Sequence, residues 1–375
     1  MVGVACELLP KQYGDGSDGT IIVTGTDIDI KDIYENDSVS GVITKRGTDK
    51  GLNHGVGSYQ PKDNTAYGTA KSIVNAVNFI IQDGASLTCS QYHIATGQPH
   101  YNVSYTKYDG QGMIWIVCLG KFLNKGTVNL SEKGFSGGKG GRFWNDNGDA
   151  GYGGFTSAGQ ATGGASNRYQ GYAGASAYGE ATLQVLTTYE NLFGGSGGGA
   201  GSGWANEATY GTDQYVAELG GSGGGALRVY APIIINEGTI NNNGGDGGNY
   251  GTYSANNGKN GGRGGGSGGA GSYVAVGGTG GNGSTNPNQY YGGGAGSSGG
   301  AGGSVYLEGF TVLTGIVNAE GGVGATGLPA RDAYTGGGGG TGGTGSDGRI
   351  SIVANNIVGS TTPSYYDKKR SDYDT

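Results

Sequence analysis

Proline, cysteine, charge and long hydrophobic runs are all scarce in this chain, and each shortage removes a class of protein. Seven prolines among 375 residues, with glycine not confined to every third position, exclude a collagen triple helix. Three widely spaced cysteines (Cys6, Cys89 and Cys118) form neither a disulfide framework nor a CxxC metal site. Cys118 lies in the apolar run from Ile114 to Leu119 and reads as a small buried hydrophobe. Charged residues make up 14% of the chain and the net charge is −7. Nucleic-acid binders cluster Lys and Arg, so this balance argues against them. The one basic run, Lys368-Lys369-Arg370, sits beside aspartates and reads as a solvated tail. No apolar stretch reaches the 18 or so residues that a membrane-spanning helix needs, and no basic-then-apolar export signal opens the sequence. Release by lysis, as for virion parts, is the route expected of a surface-acting protein with those features.

Apolar residues are also sparse, at 34%, below the 45–50% or so of ordinary globular chains. Glycine fills the gap, at 89 residues. Ordering a glycine costs roughly 0.5–1 kcal/mol more than ordering an alanine, so an ordered chain of this kind needs dense main-chain hydrogen bonding. Order is nevertheless expected, because disorder goes with few aromatics and a charge excess, whereas 10% of this chain is aromatic and 26 residues are Tyr.

An internal repeat is visible once the glycine tracts are set aside. Its four copies begin at Ile114, Leu227, Val305 and Ile350. Each opens on a β-rich run, breaks briefly, continues through a second apolar stretch and passes a glycine corner. The turn Asn-x-Gly-Thr-(Val/Ile)-Asn occurs at Asn124–Asn129 and again at Asn236–Asn241. Short strands recurring between Gly and Asn turns predict an all-β fold: repetitive β-solenoid or β-sandwich strands. Val229, Ile233, Ile235, Ile240, Leu307, Val312, Ile316, Ile352 and Ile357 are the expected core, and the first and fourth copies are expected to be end copies. Residues 70–82 fit a helix or a strand run about equally. Between the copies lie excursions at 134–226, 241–304 and 319–348, too long for structureless loops. Glycine there can form three-residue polyproline II helices, which have no internal hydrogen bonds and must bond to neighbours. The expected organisation is an N-terminal attachment region (1–70), a first β-repeat region (71–133), a Gly-rich β-repeat domain with display loops (134–358) and a C-terminal tail (359–375).

Catalytic and metal motifs carry little weight in this background. GxSxG occurs at Gly194–Gly198, Gly220–Gly224 and Gly265–Gly269. All three histidines (His54, His93 and His100) precede those serines, and no helix pattern follows, so a nucleophile elbow is not expected. Asp15 with Asp18, and Asp146 with Asp149, supply paired oxygens beside glycine but lack the spacing and terminal Glu of a Ca²⁺ loop; Asx turns account for them. A polysaccharide depolymerase would need two carboxylates about 5–10 Å apart in a cleft. Glu132, Glu237 and Glu308 lie on repeat copies and are expected on a solvated outer face. No catalytic residue, metal or cofactor is assigned.

Tyrosine is the positive signal for binding, because it offers a rigid amphipathic face with two χ angles to freeze, and paratopes use it with Ser, Gly and Asn. Tyr210, Tyr215, Tyr253, Tyr290, Tyr291 and Tyr334 sit in such surroundings, as do Trp204, Asn288 and Arg331; structural lids over glycine layers are the competing reading.

The alternation of Gly tracts with Tyr/Asn-rich segments from 134 to 348 resembles the glycine-rich receptor-binding adhesins at the tips of T-even-type phage tail fibres. The tracts that carry the resemblance begin at Gly194, Gly220, Gly261, Gly292 and Gly336. The resemblance implies packed polyglycine II layers, with 204–216, 249–257, 284–291 and 328–335 as specificity loops for a host cell-surface glycan or protein. It also implies a virion location. Composition alone makes the N-terminal region the expected contact with other virion or surface-structure subunits. A homo-oligomer is expected; the subunit of a cell-surface filament or appendage is the alternative, and a polysaccharide depolymerase is the second alternative.

Overall fold

In a computed structural model, the chain winds into a parallel β-solenoid with three strand-bearing sides. The structure describes residues 16, 18–30, 33, 42–43, 73–91, 93–96, 104–107, 112–138, 143–144, 147–148, 155–156, 159–160, 194–195, 197–198, 220–248, 297–326 and 341–368. Sheet 1 holds Ile73–Ala76, Met113–Cys118, Ala226–Tyr230, Ser304–Glu308, Arg349–Val353 and Tyr366–Lys368. Sheet 2 holds Thr20–Val23, Asn78–Ile81, Lys121–Asn124, Ile233–Asn236, Thr311–Leu313 and Asn356–Val358, with Val42–Ile43 antiparallel on the first of them. Sheet 3 holds Ile28–Asp29, Ser86–Thr88, Thr127–Asn129, Thr239–Asn241 and Ile316–Asn318. The chain visits sheets 1, 2 and 3 in turn, so each circuit is one coil. Residues 20–29 form a partial first coil inside the stretch 1–70, and residues 73–88 form a coil that the repeat pattern had not revealed. The copy beginning at Ile114 is therefore an interior coil, not an end copy.

Within 70–82 the described residues form two strands, Ile73–Ala76 and Asn78–Ile81, because Val77 stands at the corner between sheets 1 and 2 and splits the run. Val74 and Ile81 point into the core, whereas Val77 is exposed and Ile80 half-buried. Stacking in exact register places like on like: Val229 lies between Ile116 and Leu307, and Phe122 between Phe79 and Ile234. The Phe79 and Phe122 rings stack at 6.0 Å.

The core departs from expectation in one respect. Ile234 and Val317 face inward, while Ile233 and Ile316 are 45% and 57% exposed and Ile235 is half-buried on the outer side. Three consecutive isoleucines at 233–235 hide the alternation that would have fixed the phase. Val229, Ile240, Leu307, Val312 and Ile352 are buried as expected, and Ile357 packs partly buried against the core.

The shared Asn-x-Gly-Thr-x-Asn turn has a structural cause. Asn124 and Asn236 are buried at the corner between sheets 2 and 3, where Asn124 Nδ2 donates to Asn236 Oδ1 at 2.7 Å. A Cβ on Gly238 would overlap the carbonyl of Gly126 in the coil before it, so the corner accepts only glycine when coils stack this closely.

Candidate display site

From the third coil on, the corner between sheets 3 and 1 opens, and the chain leaves the solenoid as an extended glycine-rich arm. Outgoing tracts run over 130–138, 242–248 and 318–326; returning tracts over 220–225, 297–303 and 341–348 lead into sheet 1. An additional pass, 194–198, runs in the outgoing direction, because Phe135 and Gly138 donate to Gly195 and Gly198 in parallel steps. Apart from a turn at the start of the first tract, where Lys133 N donates to Leu130 O, the tracts are bonded to one another. Gly342, Gly345 and Gly348 donate to Ala325, Gly322 and Ala319, a strict three-residue step between antiparallel neighbours. Gly221 and Gly224 donate to Ser298 and Ala301, and Gly299 and Gly302 to Gly343 and Ser346, the same step between parallel neighbours. That period is the one a three-residue polyglycine II helix dictates.

The tract 297–303 is enclosed. Hydrogen bonds join it to 220–225, 242–248, 318–326 and 341–348, and Gly195 and Gly198 press on the backbone at Ala301 and Gly299. Such packing leaves no room for side chains on facing positions: a Cβ on Gly300 would overlap the carbonyl of Ser222, and one on Gly137 the carbonyl of Gly220. Side chains survive where they point out of the layer, as at Val323, which is 59% exposed, and Asp246, whose carboxylate accepts from Val323 N at 2.7 Å. Asn242 closes the inner end of the layer. It is fully buried, and its Nδ2 donates to the carbonyls of Gly225 and Ser304, both at 3.0 Å, tying two coils together.

The layer fixes where the excursions start and finish. Gly138, Gly198 and Gly220 are mutual neighbours at its outer edge, where Gly138 N donates to Gly198 O and Gly220 N to Gly138 O. Gly221 bonds to Ser298, Ala325 to Ser297, Gly342 to Ala325 and Gly247 to Val323 at the same edge. Three excursions, 199–219, 249–296 and 327–340, therefore both leave and return at the edge remote from the solenoid. The fourth, 139–193, leaves there and re-enters at the inner end, where Gly195 N bonds to Gly224 O. The four expected specificity segments all fall within the three excursions that are closed at the outer edge. Trp204, Tyr210, Tyr215, Tyr253, Asn288, Tyr290, Tyr291, Arg331 and Tyr334 themselves lie outside the described residues.

The acidic residues weighed as catalytic candidates separate. Glu132 and Glu237 are exposed, and Glu237 pairs with Lys125 at 3.4 Å. Glu308 corrects the expectation of a solvated face: it is 5% exposed on the outer side of sheet 1, and accepts from Tyr306 Oη at 2.8 Å. Beside it the Arg228 guanidinium lies 4.7 Å from the Trp115 ring centroid and 5.9 Å from that of Tyr306, a buried cation–aromatic stack that sequence reasoning missed. Its signal was the register Trp115–Arg228–Tyr306 down one column of sheet 1. Asp18 uses its carboxylate to accept from Asn75 N at 2.7 Å, whereas Asp15, Asp146, Asp149, His54 and His100 lie outside the described residues. Among the described residues, no group of three His, Cys, Asp or Glu is placed to hold a metal ion, and no helix is long and apolar enough to cross a membrane. No family model, curated protein or solved structure matches this chain.

Proposed function

We propose that this chain is a phage virion adhesin of the tail-fibre tip kind, which binds a host cell-surface glycan or protein through Tyr/Asn-rich loops. The observation that carries the reading is the common edge: the three excursions that contain the expected binding residues have their ends anchored together at the far side of a hydrogen-bonded glycine layer. Anchoring at both ends lowers the entropy lost when a loop binds, and Tyr-rich loops in Gly/Asn/Ser surroundings have the composition of adaptable paratopes. The solenoid is the support that holds this edge away from the rest of the virion, and no catalytic step is part of the reading.

The test is binding of the purified chain to host cells. Tyr290→Ala combined with Tyr291→Ala is expected to lower binding at least about tenfold, the effect of losing one or two aromatic anchors, while the melting temperature stays unchanged. Full binding by that variant would remove those loops from the site. Polymerisation of the wild-type chain without cells, together with absence of cell binding, would replace the adhesin reading by a filament subunit.

A further inference from the structure

We infer that the outer face of sheet 1 is covered by a segment of this same chain, residues 180–193, and that the excursion 139–193 therefore serves the scaffold and not the display edge. Two columns run down that face in register. One is Trp115, Arg228, Tyr306 and Ser351; its neighbour runs from Val117 through Tyr230 and Glu308 to Val353. None of these side chains is more than 7% exposed, whereas the outward side chains of sheets 2 and 3 are half-buried or exposed. Strands closed on both faces belong to sheets with a layer on each side. Burial here is a property of the single chain, so the chain itself supplies that layer. Trp115 Nε1 and Ser351 Oγ are buried there without a hydrogen-bond partner in the chain, so apolar atoms face them.

The direction of the tract 194–198 identifies the segment. The returning tracts run straight into the strands of sheet 1, so the two sides of their row continue as the two faces of that sheet. Tracts 242–248 and 318–326 come from sheet 3 and bond to 297–303 from the core side. Tract 194–198 presses on the same 297–303 but, among the described residues, bonds to 134–138 and 220–225 and to neither of those two. It therefore lies on the opposite side, level with the outer face. It runs outward, and Gly195 N bonds to Gly224 O two residues before the strand Ala226–Tyr230 begins. The chain that reaches Gly194 thus arrives over the outer side of sheet 1. Residues 180–193 lie outside the described residues, and their sequence suits that place. They are the longest glycine-free run in the four excursions, and Leu183, Val185, Tyr189 and Phe193 share one side of a period-2 strand pattern. Extended, such a run reaches about 46 Å, against roughly 17 Å for a five-residue strand, so it crosses the face with residues to spare. The other three excursions begin and end at the outer edge and have no need to pass this way.

Trp115 reports on the cover directly. Trp144→Phe with Trp204→Phe leaves it as the single tryptophan. In that background, replacement of 180–192 by a Gly/Ser run of equal length is expected to shift Trp115 emission to the red and to raise its quenching by acrylamide several-fold, with the β-sheet circular dichroism retained. A folded replacement with unchanged emission and quenching would overturn the inference. Should the replacement fail to fold, the unshortened native segment carries the test through a nitroxide attached at Thr188→Cys. Cys6→Ser then leaves the label one site, because Cys89 and Cys118 are buried. The nitroxide, which quenches indole only at short range, is expected to remove most of the Trp115 fluorescence; full fluorescence from the labelled chain would equally overturn the inference. No host cell enters either assay, so their outcome is independent of the receptor reading.

Discussion

Single residues decide this fold chiefly by being absent or small. Gly300 illustrates the rule, since the Ser222 carbonyl occupies the place where a Cβ would go. Gly300→Ala is expected to destabilise the protein by about 1–3 kcal/mol, the usual cost of overpacking, whereas Val323→Ala, at an outward position of the same layer, should fall within about 0.5 kcal/mol of wild type; chemical denaturation measures both. Asn242→Ala removes two donors from buried carbonyls and is expected to cost about 2 kcal/mol or more by the same method. Cys89 and Cys118 are fully enclosed, and burial pushes both thiols far above their ordinary range, with Asp29 adding to the effect at Cys89. Neither should react with a thiol reagent at pH 8 until the chain is unfolded. The sign of the pH effect follows: the folded thiols hold their protons where the unfolded ones, near pH 8.5, release them. This contribution is complete below pH 8.5 and declines as pH rises above it; urea midpoints at pH 8 and 10 should show that fall. What the sequence left illegible at this scale was phase. Ile233, Ile234 and Ile235 are equally apolar, and only the coil-to-coil register tells which of them faces the core.

The coil was legible at the scale of elements because its corners carry chemistry. Asn124 and Asn236, with Gly126 and Gly238 two residues on, announce the same bend twice, and both bends stack. The coil at 73–88 escaped notice because Gln82-Asp83-Gly84 makes that corner without the Asn-x-Gly-Thr signature. The arms were legible from composition alone, since only glycine can pack main chain on main chain. Their neighbours were not, because a tract of glycines contains no register mark. Arms whose ends meet should be separable from the loops they carry. Gly247 and Ser297 are in backbone contact, so replacing 249–296 by a two- or three-residue bridge should leave the melting temperature within a few degrees of wild type, by a thermal scan followed by circular dichroism. A large loss of stability would mean that the excursion is part of the scaffold.

The whole molecule combines two ways of stacking a chain. In the solenoid, apolar side chains fill the space between three sheets, and hydrophobic burial supplies the stability. In the arms that space has closed, and hydrogen bonds between bare backbones at three-residue steps replace it. Both share one repeat, because each coil from the second to the fifth adds one rung to each sheet, and the third, fourth and fifth each send a tract into the layer. The ends of the three excursions that contain the expected loop residues are thereby set apart from the solenoid by a scaffold in which the main chain is held on several sides. That rigidity is the central claim, and hydrogen–deuterium exchange of the native chain, resolved to single amides, tests it most directly. The account predicts protection at Gly224, Gly300, Gly322 and Gly345, whose N–H groups are bonded across the layer, comparable with protection in the strands of sheet 1. Exchange at those glycines as fast as in an unstructured peptide, with the strands of sheet 1 still protected, would contradict it.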